Sequence, residues 1–406
     1  MNCYFLNKSL FEKSGSGSNS NDLLKEEIKR MVKKWMSSVF CVGAAAALVL
    51  MNTGISQAVE VKLSGQINRA VMWADDGNES EFFHVDNDNS STRFRFKGSQ
   101  EVTPSIEVGV VWENEFQSTP SNKVYIGQQD DGSDENLAQR KLEAYFDMPF
   151  GKISIGQGDG AANGTSEEDL SGTSVVMYCG VADTGGSLLF RDSNNQEIAK
   201  ISATRDTFDG LSRNDRVRYD TPEFGGLSFS GSMTNGDAWE VAARFANEFG
   251  GLGEIAAAVG YVDTADREDP EYTQMGASLS WLHSSGFNIT ASYGTIDEDD
   301  ADTDPVNYYG KIGYKFGMHA IAVEYGMTED LDQKNDESSN YGVAYVISPW
   351  KGIEFYGTYR LYMLDGDGRE MEDDEGNTIV DESGNAILTG DAEDISVVMI
   401  GTRVKF

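Results

Sequence analysis

Residues 286–330 read GFNITASYGTIDEDDADTDPVNYYGKIGYKFGMHAIAVEYGMTED. The stretch opens on a tight Gly286-Phe287 turn, alternates apolar with polar residues and crosses an acidic loop at 297–304. It then alternates again, turns at Phe316-Gly317 and alternates a third time. Every second residue on these arms is apolar: Phe287, Ile289 and Tyr293, then Val306, Tyr308, Ile312 and Tyr314, then Ile321, Val323, Tyr325 and Met327. Period two is the mark of strands with one apolar face. The short turns carry an aromatic ring and the long connections carry acid, so the two ends of the strands differ in kind. That combination describes a transmembrane β-barrel, apolar outside and polar inside.

The same rhythm extends in both directions. Phe150-Gly151, Phe224-Gly225, Phe249-Gly250 and Trp350-Lys351-Gly352 are further short turns with an aromatic beside them. Alternation predicts strands over 60–73, 91–102, 106–112, the segment around Lys141–Phe146, 152–158 and Arg213–Asp220, then a regular series to Phe406. In the second of these, Phe94 and Phe96 alternate with Arg93, Arg95 and Lys97. The sum is a 16-stranded antiparallel barrel with long extracellular loops, short periplasmic turns and an inward-folded third loop. An even count lets the first and last strands pair, which is obligatory because an open edge in hydrocarbon leaves backbone groups unsatisfied. Strands of about 10 residues tilted ~45° span a bilayer. A soluble sandwich or propeller would need apolar residues on the enclosed face, where this chain places charge.

Composition alone misleads. A mean hydropathy of −0.42 and 39% hydrophobic residues describe a soluble acidic protein, yet a barrel that shows lipid only every second residue scores the same way. The sustained apolar run, Trp35–Met51, is short for a spanning helix. It follows Met31-Val-Lys-Lys and precedes Ser56-Gln57-Ala58, so 31–58 reads as a Sec signal peptide cleaved after Ala58. Val39-Phe40 before Cys41 is not a lipoprotein box. Residues 1–30 are polar and hold Glu26 and Glu27; they read as a start-site overcall or a disordered extension, with translation expected from Met31. The mature span, 59–406, then holds 25 basic and 63 acidic residues, a net charge of −38. Such a charge excludes nucleic acid as partner. The acids gather at 297–304, 329–337 and 365–394, and Cys179 alone survives processing, so no disulfide framework is expected.

A lumen of this size is too wide for side chains to fill. The longest connection, Asp159 to Ser212, is the candidate constriction, since loops of such length are commonly functional. Its first part holds Glu167, Glu168 and Asp169, and its apolar residues (among them Val175, Val176, Met177, Leu188 and Phe190) seek burial. The first half is expected to fold into the lumen, and 187–204 to form an extra surface hairpin. Basic residues recur on nearby strands: Arg93 and Arg95, Arg140 and Lys141, Arg216 and Arg218. Parity points Arg93, Arg95, Arg216 and Arg218 inward, and an arginine on the lipid face would cost ~2–4 kcal/mol at the midplane. Acids on the loop opposite bases on the wall would set a transverse field favouring polar solutes. The alternative is that these bases ion-pair along the wall and never meet the loop.

Val61-Lys-Leu-Ser-Gly-Gln-Ile-Asn-Arg-Ala, Asn87-Asp-Asn-Ser-Ser-Thr-Arg-Phe-Arg-Phe-Lys-Gly and Arg213-Asn-Asp-Arg-Val-Arg-Tyr-Asp-Thr-Pro resemble the Gram-negative general porin family, in its proteobacterial branch. The resemblance spans 59–406. It implies a homotrimer of sixteen-stranded barrels in outer-membrane lipid and lipopolysaccharide, each with an inward third loop facing a cluster of wall arginines. By strand, Arg93 or Arg95, Arg140 and Arg216 or Arg218 match that cluster, and Glu167, Glu168 and Asp169 match the loop acids. Phe406 resembles the terminal signal read by the outer-membrane assembly machinery. Some members bind calcium in loops; no run here has EF-type spacing, so the acids read as solvated charge and no cofactor is expected.

An enzyme is disfavoured: His84 falls in the first loop, His283 and His319 fall at periplasmic turns, and no nucleophile elbow occurs. A solute-specific channel would need an aromatic ladder or a single-sign track, whereas the inward Tyr309, Tyr356 and Tyr362 are scattered. The expectation is a non-specific diffusion channel for small hydrophilic solutes and ions. Acidic loops favour cations at the mouth, an effect limited to ~8 Å by physiological salt.

Overall fold

The computed structural model describes residue 30 and residues 59–127, 137–264, 271–298, 301–371, 378–380 and 385–406. The chain divides into two compact units, Met1–Gly54 and Ile55–Phe406. The leader expectations for 1–30 and 31–58 lie outside the described residues, Arg30 excepted.

The second unit is a closed antiparallel sheet. Its strands are β1 (Glu60–Asp75), β2 (Ser80–Asp86), β3 (Arg93–Thr103), β4 (Ile106–Glu115), β5 (Ala138–Met148) and β6 (Gly151–Asp159). After a long loop follow β9 (Arg213–Asp220), β10 (Leu227–Thr234), β11 (Trp239–Glu248), β12 (Glu254–Asp263), β13 (Tyr272–Leu282) and β14 (Phe287–Glu298). The wall ends with β15 (Val306–Phe316), β16 (His319–Glu329), β17 (Glu337–Trp350), β18 (Ile353–Asp365) and β19 (Ile395–Lys405). The remaining pair, β7 (Leu189–Arg191) and β8 (Glu197–Lys200), forms a separate two-stranded sheet inside the long loop.

β1 shows why the sequence builds such a wall. Val61, Leu63, Ile67 and Val71 are exposed on the outer face, while the alternates Gln66, Asn68, Ala70 and Met72 are buried. β19 pairs back with β1 from Gln66↔Lys405 to Asp75↔Ser396. Past that ladder, Gly65 N–H donates to the Phe406 carbonyl at 3.0 Å and Phe406 N–H donates back at 2.9 Å. A side chain at Gly65 would strike the Phe406 ring, so the terminal aromatic lies over a position that must stay bare.

The expected second strand, 91–102, is one half of an interrupted wall strand. β3 pairs with the lower part of β1 (Gln66↔Arg93) and β2 with the upper part (Arg69↔Asp86). Between them Asp88–Ser90 makes one 3-10 turn, capped by the Asn87 side chain, which accepts from Asn89 N–H at 3.1 Å. Counting β2 and β3 as one gives sixteen wall strands around the ring. His84, expected in a loop, lies on β2 and is exposed.

The long loop enters the barrel. A hairpin does form within 187–204, followed by one helical turn at Ile201–Thr204; its tip at 193–197 is exposed, but its base turns inward. Leu188, Phe190 and Ile201 are wholly buried, as are Val176 and Met177 earlier in the loop. They join one apolar cluster with inward residues of the wall: Met72, Phe83, Val85, Ala322, Val346 and Val397 among them. Burying a large apolar side chain contributes ~1.5–3 kcal/mol, so returning several to water would cost far more than thermal energy supplies. Local alternation could not reveal this, because the partners lie across the lumen.

Candidate pore constriction

β3, β4, β5, β6 and β9 form one continuous sector of the wall. Arg93, Arg95, Arg140, Lys141, Arg216 and Arg218 all lie on it, as their strands required. Arg140 and Lys141 are neighbours, and a register shift opposite Glu113/Asn114 lets both reach inward partners. The wall itself supplies acids for them. Glu113, with a side chain only 2% exposed, sits between Arg95 (2.5 Å) and Arg140 (3.0 Å). Arg140 also pairs with Glu115, Lys141 with Asp159, Arg216 with Glu143 (2.5 Å) and Arg218 with Asp220 (2.7 Å). Lower on the same sector, Tyr145 donates to Glu107 at 2.5 Å, with the Lys97 and Lys152 ammoniums 5.1 and 4.7 Å from its ring centre.

The loop acids divide. Asp169 points away from the arginines and pairs with Lys311 on β15; both side chains are buried. Lys311 further donates to Met177 O at 2.8 Å and Thr173 Oγ1 at 3.2 Å. Glu168 is held through its own N–H, which donates to Ser278 Oγ at 3.0 Å. Glu167 follows a turn whose Gly164 and Ser166 N–H groups donate to Asp209 at 2.6 and 2.8 Å. Burial, with Asp209 and Asp183 adding like charge, pushes the Glu167 carboxyl up to about 8. Burial raises Asp183 and Asp209 to about 7. Among the described residues no ion pair forms between Glu167 or Glu168 and the six wall bases. The wall bases and the loop acids are thus two separate systems.

Several residues that seat the loop are outside the set read from sequence. Arg244 on β11 donates to Ala161 O and Asn163 O at 3.0 and 2.7 Å. On β18, Arg360 is locked to Glu324 at 2.7 Å, both side chains fully buried, and donates to Val181 O at 3.2 Å and Tyr178 O at 3.3 Å. Tyr362 donates to Val181 O and Thr184 O at 2.9 and 2.7 Å. Across β12, β13 and β14, Gly260, Gly276 and Gly294 stand side by side in register. A Cβ on any of them would collide with Thr165, Ser166, Thr207 or Phe208 of the loop, so this bare strip is the seat on which the loop backbone rests. Parity could have found Lys311 and Arg360, each an inward base between outward neighbours; the glycine strip shows only once register is known.

The family model described as Gram-negative porin matches residues 44–367. No curated protein sequence matches the chain. Among solved structures, the barrel is similar to an anion-selective porin from Comamonas acidovorans, at TM-score 0.58 and 15% identity over 86% of this chain and 100% of that one. It is also similar to the outer membrane protein OmpT of Vibrio cholerae in a trimer form, at TM-score 0.53 and 14% identity over 86% and 100%. A third is the outer membrane channel DcaP of Acinetobacter baumannii, at TM-score 0.52 and 12% identity over 87% and 100%. At these identities the likeness is one of fold.

Proposed function

The chain belongs to the Gram-negative porin family and is an outer-membrane diffusion channel; on that premise we propose that it is unselective among small hydrophilic solutes and mildly prefers cations. The observation that carries the first part is the pairing on the wall. Arg95, Arg140, Arg216 and Arg218 each meet a wall carboxylate, so the sector offers alternating charge rather than a track of one sign. Such a surface hydrates polar solutes without gripping any one of them. The buried Tyr309, Tyr356 and Tyr362 make no ladder for a sugar to slide on. Cation preference follows from the acids of the mouth and, above about pH 8 where Glu167 is ionised, from the loop as well.

The working unit on this reading is a homotrimer in outer-membrane lipid and lipopolysaccharide, delivered after removal of 31–58 and assembled through the Phe406 signal. The trimer form of the similar OmpT structure supports it. The wall bases and loop acids bound the eyelet without sharing ion pairs, and neither a metal nor a cofactor enters this account.

Liposome swelling with the refolded 59–406 chain tests the proposal. Neutral sugars of rising size should enter at rates that fall smoothly and do not saturate with concentration. Saturation, or competition between two solutes, would instead make the channel solute-specific.

A further inference from the structure

We infer that Asp192 is a specificity-determining positioning residue: through it the tip of the third loop leaves the lumen, clasps the first and eighth loops at the cell surface and holds the acids of the eighth loop over the entrance. This rests on the cation-preferring channel reading above and names the side chain that organises the charge of its mouth.

β7 and β8 rise from the luminal apolar cluster, where Phe190 is wholly buried, to an exposed tip at 193–197. Asp192 stands where the hairpin passes from one setting to the other and is 2% exposed. One carboxylate oxygen accepts from Asn194 N–H at 2.8 Å and Gln196 N–H at 2.9 Å, which shapes the tip. The other accepts from Gly390 N–H of the eighth loop at 2.9 Å. The Asp192 carbonyl accepts from Asn78 Nδ2 of the first loop at 3.2 Å. Arg191 reinforces both ties: it lies 3.4 Å from Asp76, and its carbonyl accepts from Glu393 N–H at 2.8 Å. Three loops far apart in sequence thus meet at two adjacent residues. Narrowing the lumen does not need a segment that leaves it, so the hairpin has separate work.

Residues 365–394, the eighth loop with the last residue of β18, carry 12 acids and one base. A segment of this charge left free would spread, because its own acids repel one another. Here both limbs are tied. On the outgoing limb Arg369 pairs with Asp332 and Asp336 of the seventh loop at 2.7 and 2.5 Å. On the returning limb the hairpin holds Gly390 and Glu393, and Ala392 between them packs against the luminal apolar cluster, which draws this limb in over the lumen. Exposed charge reaches only ~8 Å at physiological salt, so these acids act on selectivity only while they are held close to the ion path.

Planar-bilayer recording of the full channel at low salt tests the role. Asp192→Ala should lower the cation-to-anion permeability ratio well beyond the fall caused by Asp391→Asn, which removes one charge from an exposed site on the eighth loop. Asp192→Asn loses the same charge yet keeps an accepting oxygen, and should restore part of the ratio lost in Asp192→Ala. Amide exchange at Gly390 and Glu393 should quicken in Asp192→Ala while neutral sugars enter liposomes at the original rates. Equal shifts in Asp192→Ala and Asp391→Asn, or unchanged exchange, would overturn the positioning role with the channel reading intact. A second arm leaves Asp192 in place. Asn194→Cys in a Cys179→Ser background should react on intact cells with a maleimide carrying a polymer too large for the pore; no labelling would overturn the exit of the tip. A lack of current from the unmodified protein would remove the channel reading itself.

Discussion

Lys311 holds the loop at three points. Its ammonium is fully buried and serves Asp169, Thr173 and Met177 at once. Removing one member of a buried ion pair leaves the other uncompensated and typically costs about 3–5 kcal/mol. Lys311→Met should therefore free the first half of the loop without opening the barrel. The expected result is faster amide exchange over 169–181 and a larger, noisier unit conductance; unchanged exchange there would contradict the anchoring role. Glu167 gives a second prediction at this scale. A carboxyl raised to about 8 is neutral below that pH and anionic above it, and Asp183 and Asp209 follow at about 7. Cation selectivity should rise as pH passes upward through about 7 to 8, and Glu167→Gln should flatten that rise. Reversal potentials across a salt gradient check it. A selectivity constant through this range would mean that these acids do not face the path.

At the scale of elements, strands were legible and the loop was only half legible. Alternation such as Ile321, Val323, Tyr325 and Met327 against Ala322, Glu324 and Gly326 is a local property, so it survives in the sequence intact. The break between β2 and β3 was hidden because Asn87–Ser91 looks like the polar entrance to a strand, and its partner Asp86 is fixed by the distant Ser118 and Thr119 N–H groups at 2.9 and 3.2 Å. The inward course of the loop could be read from its apolar content, but not its direction. Asp169 turns toward β15 because Lys311 stands there, and nothing near 169 in the chain says so. The glycine strip offers the sharpest test of the seat. Gly276→Val would drive a side chain into Ser166 and the Phe208 carbonyl, so the loop must lift while the strand, which favours valine, stays. Heat-resistant barrel mobility on gels should persist while liposome swelling changes; wild-type swelling would count against the seat.

For the whole molecule, two charge systems coexist. The mature span is strongly acidic in sum, yet along the arginine sector bases and acids are nearly matched by mutual pairing. Net charge therefore speaks for the mouth and says little about the lane within, which is why composition could suggest cation preference but could not locate it. Closure, by contrast, follows from a global constraint that sequence does express: an even number of strands and a terminal Phe406 that meets Gly65. Function in this closed barrel requires a water-filled lane. Planar-bilayer recording of the refolded 59–406 chain detects such a lane. At pH 9, where Glu167 is ionised, stable ohmic steps, grouped in threes and moved toward anions under a salt gradient by Glu167→Gln/Glu168→Gln, are expected. A silent bilayer from protein whose circular dichroism shows the folded barrel would contradict it.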